Sequence, residues 1–201
     1  MGNEAHCRVE IGGESADAKV LLETDEVIVR GAMKARIPFR DATNVAADGG
    51  VLRLTWSNDG TARDVRLHVG SSAAKWAEKI RNPKTVAEKL GVKRGQKISV
   101  VGALDTAFLG TLDYACKLMP ESDVIFFAAN ARQELTRLVA LRKSLAPTGA
   151  IWVIRPKGVA SISESDVMAA GKSAGLVDVK VVRFSDSHTA EKLVIPITAR
   201  P

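Results

Sequence analysis

Residues 97–107 read KISVVGALDTA, a short β-branched run that breaks into a polar segment at Gly102. Two further apolar runs follow, VIFFAA at 124–129 and AIWVIR at 150–155. Near-continuous apolar runs of this length are typical of strands buried on both faces, as in parallel sheets. The segment 131–145, between the last two runs, repeats its apolar residues with the period of a helix. This alternation predicts an α/β Rossmann-like domain.

The end of the chain predicts how that sheet is completed. Strands expected at 179–184 and 192–197 should pair antiparallel and close the domain as a hairpin. At the other end, Asn82-Pro83 marks a boundary, because Asn caps helices and Pro suits the first helical position. We therefore expect two domains, one at 1–82 and one at 83–201.

The first domain has a different pattern. Short alternating segments fill residues 7–70, and turn sequences at 48–50 and 58–60 separate some of them. An amphipathic helix is predicted at 72–81. This order resembles a pleckstrin-homology-like domain and implies an α+β fold, a small β-barrel or sandwich with a C-terminal helix. The loop at 12–17 is acidic, which disfavours a phosphoinositide ligand, so we expect this domain to have either a packing role or a role in docking a protein partner.

Composition limits the class of protein. Of the 201 residues, 46% are hydrophobic and 26% are charged, which is typical of globular domains. No apolar run approaches the roughly 18 residues that cross a bilayer, and the N-terminus does not resemble a secretory signal. Cys7 and Cys116 are too far apart in the sequence to suggest a disulfide framework or a metal site. The sequence predicts a cytoplasmic protein without a membrane contact or a metal.

The positive charge lies in the second half of the chain. Residues 1–82 hold 12 basic and 12 acidic residues, whereas residues 83–201 hold 17 and 11. The basic stretch from Lys84 to Lys97 contains no aromatic residue on which bases could stack, which disfavours nucleic acid as a partner. Weak nucleic-acid association is kept as a third alternative for function.

Three stretches carry a family resemblance: EKLGVKRGQKISVVG at 88–102, LAPTGAIWV at 145–153 and AGLVDV at 174–179. They resemble the entry to the first strand, the approach to a later strand and the run into the closing hairpin of class I methyltransferases. Together with Arg155-Pro156-Lys157, they also resemble an uncharacterised bacterial family of domains of unknown function. That family has a shortened methyltransferase-like fold, and the resemblance implies a fold without an established activity.

The turn after the first strand argues against a nucleotide-type cofactor. Adenosylmethionine and dinucleotide sites use a glycine-rich turn there, and an acidic residue after the second strand. Here the turn is Gly102-Ala103-Leu104-Asp105, and the next recognisable strand ends at Ala129-Asn130. We therefore expect no cofactor and, in first place, a non-catalytic binding or scaffold protein rather than an enzyme.

The alternative is an enzyme or sensor that binds an anionic small molecule where the strands end. Its candidate ligand-binding residues follow the predicted strands: Asp105, Thr106, Asn130, Arg155 and Lys157. Each has a simpler interpretation. Asp105 and Asn130 suit helix capping, and Arg155 with Lys157 suits a solvated pair.

One histidine invites an acid–base role. His188 lies between Asp186 and Glu191 in the sequence. Since no nucleophile accompanies it in a recognisable turn, we interpret it as an exposed loop histidine.

Overall fold

The computed structural model describes residues 3–112, 114 and 117–200. The chain divides into two compact units, Met1–Lys84 and Thr85–Pro201. The sequence also predicts a helix over residues 107–117; Cys116 and part of that segment lie outside the described residues. Within the described ranges, none of the helices has the length and apolarity that a membrane crossing requires.

The N-terminal unit is a seven-stranded antiparallel sheet. Its strands are β1 (Asn3–Ile11), β2 (Glu14–Leu22), β3 (Glu26–Gly31), β4 (Ala35–Pro38), β5 (Ala42–Asp48), β6 (Val51–Asn58) and β7 (Thr61–Leu67). They lie in the order β4-β3-β2-β1-β7-β6-β5, so that β1 joins the two meanders. The helix α1 (Ala73–Arg81) packs on β5 and β6. It buries Trp76 and Ile80, as their spacing of four residues predicts. The unit is therefore a barrel-like antiparallel sheet with a C-terminal helix.

The C-terminal unit is built on a five-stranded mixed sheet. The strands are β8 (Ile98–Val101), β9 (Ser122–Ala128), β10 (Leu145–Pro156), β11 (Val177–Arg183) and β12 (His188–Val194). Their order is β11-β12-β10-β9-β8; β8, β9 and β10 are parallel, and β12 runs antiparallel to both of its neighbours. This topology confirms the Rossmann-like fold and its closing hairpin.

Helices cover both faces of this sheet. On one face lie α4 (Leu138–Lys143) and α5 (Glu164–Ser173), where Leu138 and Val167 pack with Ile151 and Val153 of β10. On the other lie α2 (Val86–Leu90) and α3 (Thr106–Leu109), where Leu90 and Phe108 pack with Trp152 and Ile154. The alternation of side chains along β10 divides the core into these two layers.

Three details differ from the predictions. Thr85, not Asn82, caps α2, because its Oγ1 accepts from Glu88 N at 3.2 Å while Glu88 Oε2 accepts from Thr85 N at 2.7 Å. The helix expected over 131–145 is a 3₁₀ helix at Arg132–Arg137 that continues into the short α4. Helix α3 ends at Leu109 rather than extending toward residue 117.

Candidate functional site

A cavity of about 680 Å³ lies over the carboxyl ends of β8, β9 and β10. Parallel strands bring their carboxyl ends to one edge of a sheet, where ligands of such folds bind. The hairpin joins them there, because β11 runs parallel to β10 and ends at the same edge. The lining residues, which we call the cleft, are Thr85, Val86, Ala87, Ala103, Leu104, Asp105, Phe108, Thr111, Ala128, Asn130, Ile154, Phe184, Ser185, Asp186, Ser187 and His188.

The turn after β8 forms one wall of the cleft. Gly102 has a φ of +92°, and a Cβ on it would lie 2.9 Å from the carbonyl oxygen of Ala128. This glycine is therefore required by the close packing of the turn against β9. Ala103 and Leu104 follow as lining residues, and the space in front of them is open.

Asp105 has a capping role and faces the cleft. Its Oδ1 accepts hydrogen bonds from Ala107 N at 2.8 Å and Phe108 N at 3.0 Å, at the start of α3. No described residue pairs with its Oδ2. The capping interpretation is thus confirmed, while one carboxylate oxygen is left for a ligand. Thr106 is exposed at the first position of α3 and is not part of the lining.

Asn130 lines the cleft from the end of β9. Its main chain is fixed on two sides: its N–H donates to Glu134 Oε2 at 3.4 Å, and its C=O accepts from Ser161 Oγ at 2.9 Å. The prediction that its side chain caps a helix is wrong, because the 3₁₀ helix begins after Ala131 and has no side-chain cap. Its exposed amide is therefore oriented for solvent or a ligand.

Arg155 and Lys157 do not converge on the cleft. Ile154 lines it, so the next residue of the strand, Arg155, projects to the opposite face. There its Nη2 lies 2.6 Å from Oε1 of Glu191. Lys157 Nζ donates to the carbonyl oxygen of Ser185 at 2.6 Å, which ties it to the hairpin loop. Neither cation is a solvated surface group of the kind that the simpler interpretation describes.

Sequence reasoning missed the hairpin loop as a source of site residues. His188 is half-buried at the start of β12 and lines the cleft, so its interpretation as an exposed loop histidine is wrong. Its Nδ1 lies 2.9 Å from Ser187 Oγ, and its main-chain N–H donates to Ser185 Oγ at 3.0 Å. The signal that could have identified this residue is the predicted closing hairpin. If its first strand runs parallel to β10, the loop after that strand lies at the same edge of the sheet as the cleft.

The floor of the cleft is apolar. The ring of Phe108 meets Phe126 and Phe184 edge to face, with centroids 5.2 and 4.8 Å apart. Ala128 and Ile154 complete this surface from the sheet. An apolar floor beneath a polar rim is the usual lining of a small-molecule site.

The charge of the rim disfavours an anion. Two carboxylates, Asp105 and Asp186, lie among the described lining residues, and no lysine or arginine does. Asp186 is paired with Arg183 outside the lining. Since an uncompensated carboxylate attracts positive charge, the cleft suits a neutral or cationic ligand. In the described part of the chain, no three His, Cys, Asp or Glu side chains are grouped to hold a metal ion.

Comparison with solved structures finds likeness to methyltransferases. A SAM-dependent methyltransferase from Aquifex aeolicus is 17% identical with a TM-score of 0.43, over 59% of this chain and 93% of that one. A TehB-like SAM-dependent methyltransferase from Corynebacterium glutamicum is 13% identical with a TM-score of 0.41, over 62% and 96%. The fibrillarin pre-rRNA processing protein of Methanococcus jannaschii is 12% identical with a TM-score of 0.38, over 90% and 98%.

The sequence matches no protein-family model and no curated protein. The expected membership of an uncharacterised bacterial family therefore has no support from a family model.

The expectation of a non-catalytic binding or scaffold protein is wrong. The solved structures compared above include two SAM-dependent methyltransferases, from Aquifex aeolicus and Corynebacterium glutamicum. The cleft shows where the sequence argument failed: Ala103, Leu104 and Asp105 were expected to fill the ligand position, but they line a cavity of about 680 Å³. The cavity stays open although the turn has a single glycine, because the side chains after Gly102 form a wall of the cavity and do not fill it.

Proposed function

We propose that the C-terminal unit is a methyltransferase-like enzyme domain whose cleft binds S-adenosylmethionine. The observation that carries the proposal is the open cavity at the carboxyl ends of three parallel strands, with an apolar floor and two rim carboxylates. Ligands of open α/β sheets bind at that edge. S-adenosylmethionine joins an aromatic base to a chain with a sulfonium and an ammonium group, which matches this lining.

Volume and donor set support the fit. A cavity of about 680 Å³ lies within the range of about 300–1,000 Å³ of small-molecule sites. The aromatic floor around Phe108 suits the base, and the free Oδ2 of Asp105 suits the positive charge of the sulfonium. Nucleotide-type sites usually have an acidic residue after a second strand. No described strand lies beyond β8 to carry such a residue, so Asp105 would have to bind the cofactor without it. When bound, the cofactor would supply an electrophilic methyl group.

His188 is the rim residue suited to proton transfer, since an imidazole ring can accept a proton at one nitrogen while the other is held by a hydrogen bond. Ser187 fixes one ring nitrogen, and no described residue pairs with the other. In this proposal His188 accepts the proton of an acceptor substrate bound beside it. The ring nitrogen that accepts the proton is Nε2.

The proposal is tested by calorimetric titration of the full chain with S-adenosylmethionine. Ala103→Trp places an indole in the mouth of the cleft, whereas Ala107→Trp adds the same group to an exposed position outside the lining. We expect saturable binding to the unmodified protein and to Ala107→Trp, and its loss in Ala103→Trp. Absence of binding to the unmodified protein, or equal binding to both variants, would contradict the proposal.

For the N-terminal unit we infer a pleckstrin-homology-like module that docks a protein partner in the cytoplasm. The β1–β7 pairing between two antiparallel meanders, followed by α1, supports this interpretation. The turn between β1 and β2 is Gly12-Gly13, and Glu14 follows it as the first residue of β2; the absence of a basic residue there argues against an anionic lipid. Co-sedimentation with phosphoinositide vesicles should therefore show no binding, and retention on the vesicles would contradict the inference.

A further inference from the structure

A second groove of the C-terminal unit lies away from the cleft and carries three cations. It is formed where the end of α4, the start of β10 and the end of α5 meet, and its volume is about 560 Å³. Arg142, Lys143 and Lys172 line it, and no acidic residue does within the described ranges. We call this the basic groove.

The three cations have no partner among the described residues. Three other arginines of the unit are in ion pairs: Arg132 with Asp166, Arg155 with Glu191 and Arg183 with Asp186. Arg142 is half-buried, and its Nε is shielded from solvent without a hydrogen-bond acceptor. An arginine held in this way is destabilising in the free protein, because a buried donor without an acceptor loses its bonds to water.

Gly175 shapes the position of Arg142. A Cβ at Gly175 would lie 3.2 Å from Cζ and 3.2 Å from Nη1 of the guanidinium. The guanidinium of Arg142 therefore lies close to Gly175, two residues after the end of α5. Packing of this kind lowers the freedom of the side chain before a ligand arrives, so less is lost on binding.

Helix capping does not account for the cluster. Arg142 and Lys143 lie in the last turn of α4 and Lys172 in that of α5, where cations interact with the helix dipole. The terminal carbonyls are already bonded by the main chain: Ser144 N donates to Arg142 O, and Ala174 N donates to Lys172 O. The N–H groups of the three side chains are thus left for another acceptor.

The rest of the lining is apolar. Five apolar residues share the groove with the cations: Val139, Leu145, Pro147, Ile195 and Ala199. Val139 is 53% exposed. We infer that the basic groove binds an organic oxyanion, a carboxylate or phosphate monoester attached to an apolar body. Charge complementarity selects the anionic end, with Arg142 as the bidentate group, and the apolar lining selects the body.

The test uses octanoate and octyl phosphate as probes, octanol as the neutral control and inorganic phosphate as the control without an apolar body. We expect one or both octyl anions to bind the full chain saturably, more tightly than either control, with an affinity that falls as salt rises. Binding of octanoate alone identifies a carboxylate site, and binding of octyl phosphate alone a phosphate site.

Arg142→Gln removes the charge and keeps a polar side chain, and Arg94→Gln is the matched change at an exposed arginine outside the groove. We expect Arg142→Gln to weaken binding about tenfold or more and Arg94→Gln to leave it unchanged. Lys172→Gln, at an exposed position of the same groove, provides a second reading if Arg142→Gln does not fold. Ala103→Trp should not change this binding, which separates it from the cleft.

The inference is overturned by any of three results. These are equal binding of octanol and the octyl anions, equal loss in Arg142→Gln and Arg94→Gln, or no binding of either anion. A further result would also overturn it: binding of a short DNA duplex without binding of the octyl anions would identify the ligand as nucleic acid.

Discussion

Arg155 and Glu191 form a buried ion pair on the face of the sheet that is turned away from the cleft. Nε and Nη2 of Arg155 lie 2.7 and 2.6 Å from the same oxygen, Oε1 of Glu191. Oε2 is buried without a partner among the described residues. The arginine at this strand end is therefore explained by a structural pair rather than by a ligand.

Removing one partner of this ion pair should lower the free energy of unfolding more than removing both partners. Arg155→Met leaves the Glu191 carboxylate buried and uncompensated, so we expect it to lower the free energy of unfolding by about 3–5 kcal/mol. The double variant Arg155→Met with Glu191→Leu should recover most of that loss, because two apolar groups replace both charges. Urea unfolding of Arg155→Met, Glu191→Leu and the double variant measures this; a loss in the double variant equal to the sum of the two single losses would show that the two residues are not coupled.

The same carboxyl group should make stability depend on pH. Burial raises the pKa of Glu191 above its ordinary value, although Arg155 acts in the opposite direction. The folded protein then keeps a proton that the unfolded chain has already released, so the free energy of unfolding falls as pH rises from the ordinary glutamate range through the higher folded pKa. Glu191→Gln should flatten that part of the profile, and an unchanged slope would refute this origin.

Phe108 should be the most sensitive position of the cleft floor. Its ring makes edge-to-face contacts with Phe126 and Phe184, and it is largely buried. We expect Phe108→Ala to lower the free energy of unfolding by about 3 kcal/mol, with Phe108→Leu losing less. Thermal unfolding measures this loss. If the free energy of unfolding falls no more than it does for a substitution at an exposed residue, the floor is not packed as described.

Asp105 should distinguish ligands by charge. Asn caps helices about as well as Asp, so Asp105→Asn should keep α3 and the overall stability. Because the sulfonium charge is lost in S-adenosylhomocysteine, we expect the variant to bind S-adenosylmethionine several-fold more weakly while its affinity for S-adenosylhomocysteine changes less. Calorimetry on both ligands measures this; parallel losses would assign Asp105 a role unrelated to charge.

The sequence predicted what apolar runs and helix periodicity determine locally. The runs at 124–129 and 150–155 lie in parallel strands of the sheet, and Ser163 with Asp166, at the spacing that indicates a capping box, forms one at the start of α5. The helices before β9 and β10 were less predictable. The tight turn at Gly102 and the short α3 depend on packing against β9, which local propensity does not encode.

Site residues were predictable only where position along the chain decides them. Asp105 and Asn130 follow parallel strands and reach the cleft. Arg155 follows such a strand too, but side chains of a strand alternate between faces, and its neighbour Ile154 takes the inward position. His188 enters from the closing hairpin, so its place depends on the pairing of β12 with β10.

The central claim is that the cleft of the C-terminal unit binds S-adenosylmethionine. Heteronuclear NMR titration of the isotope-labelled full chain tests it most directly, because every lining residue except those hidden by exchange has an observable amide. The account predicts saturable shifts that concentrate on Leu104, Asn130 and His188, which lie on three separate segments of the lining. Saturation with shifts confined to residues outside the lining, or no shifts at millimolar cofactor, would contradict it.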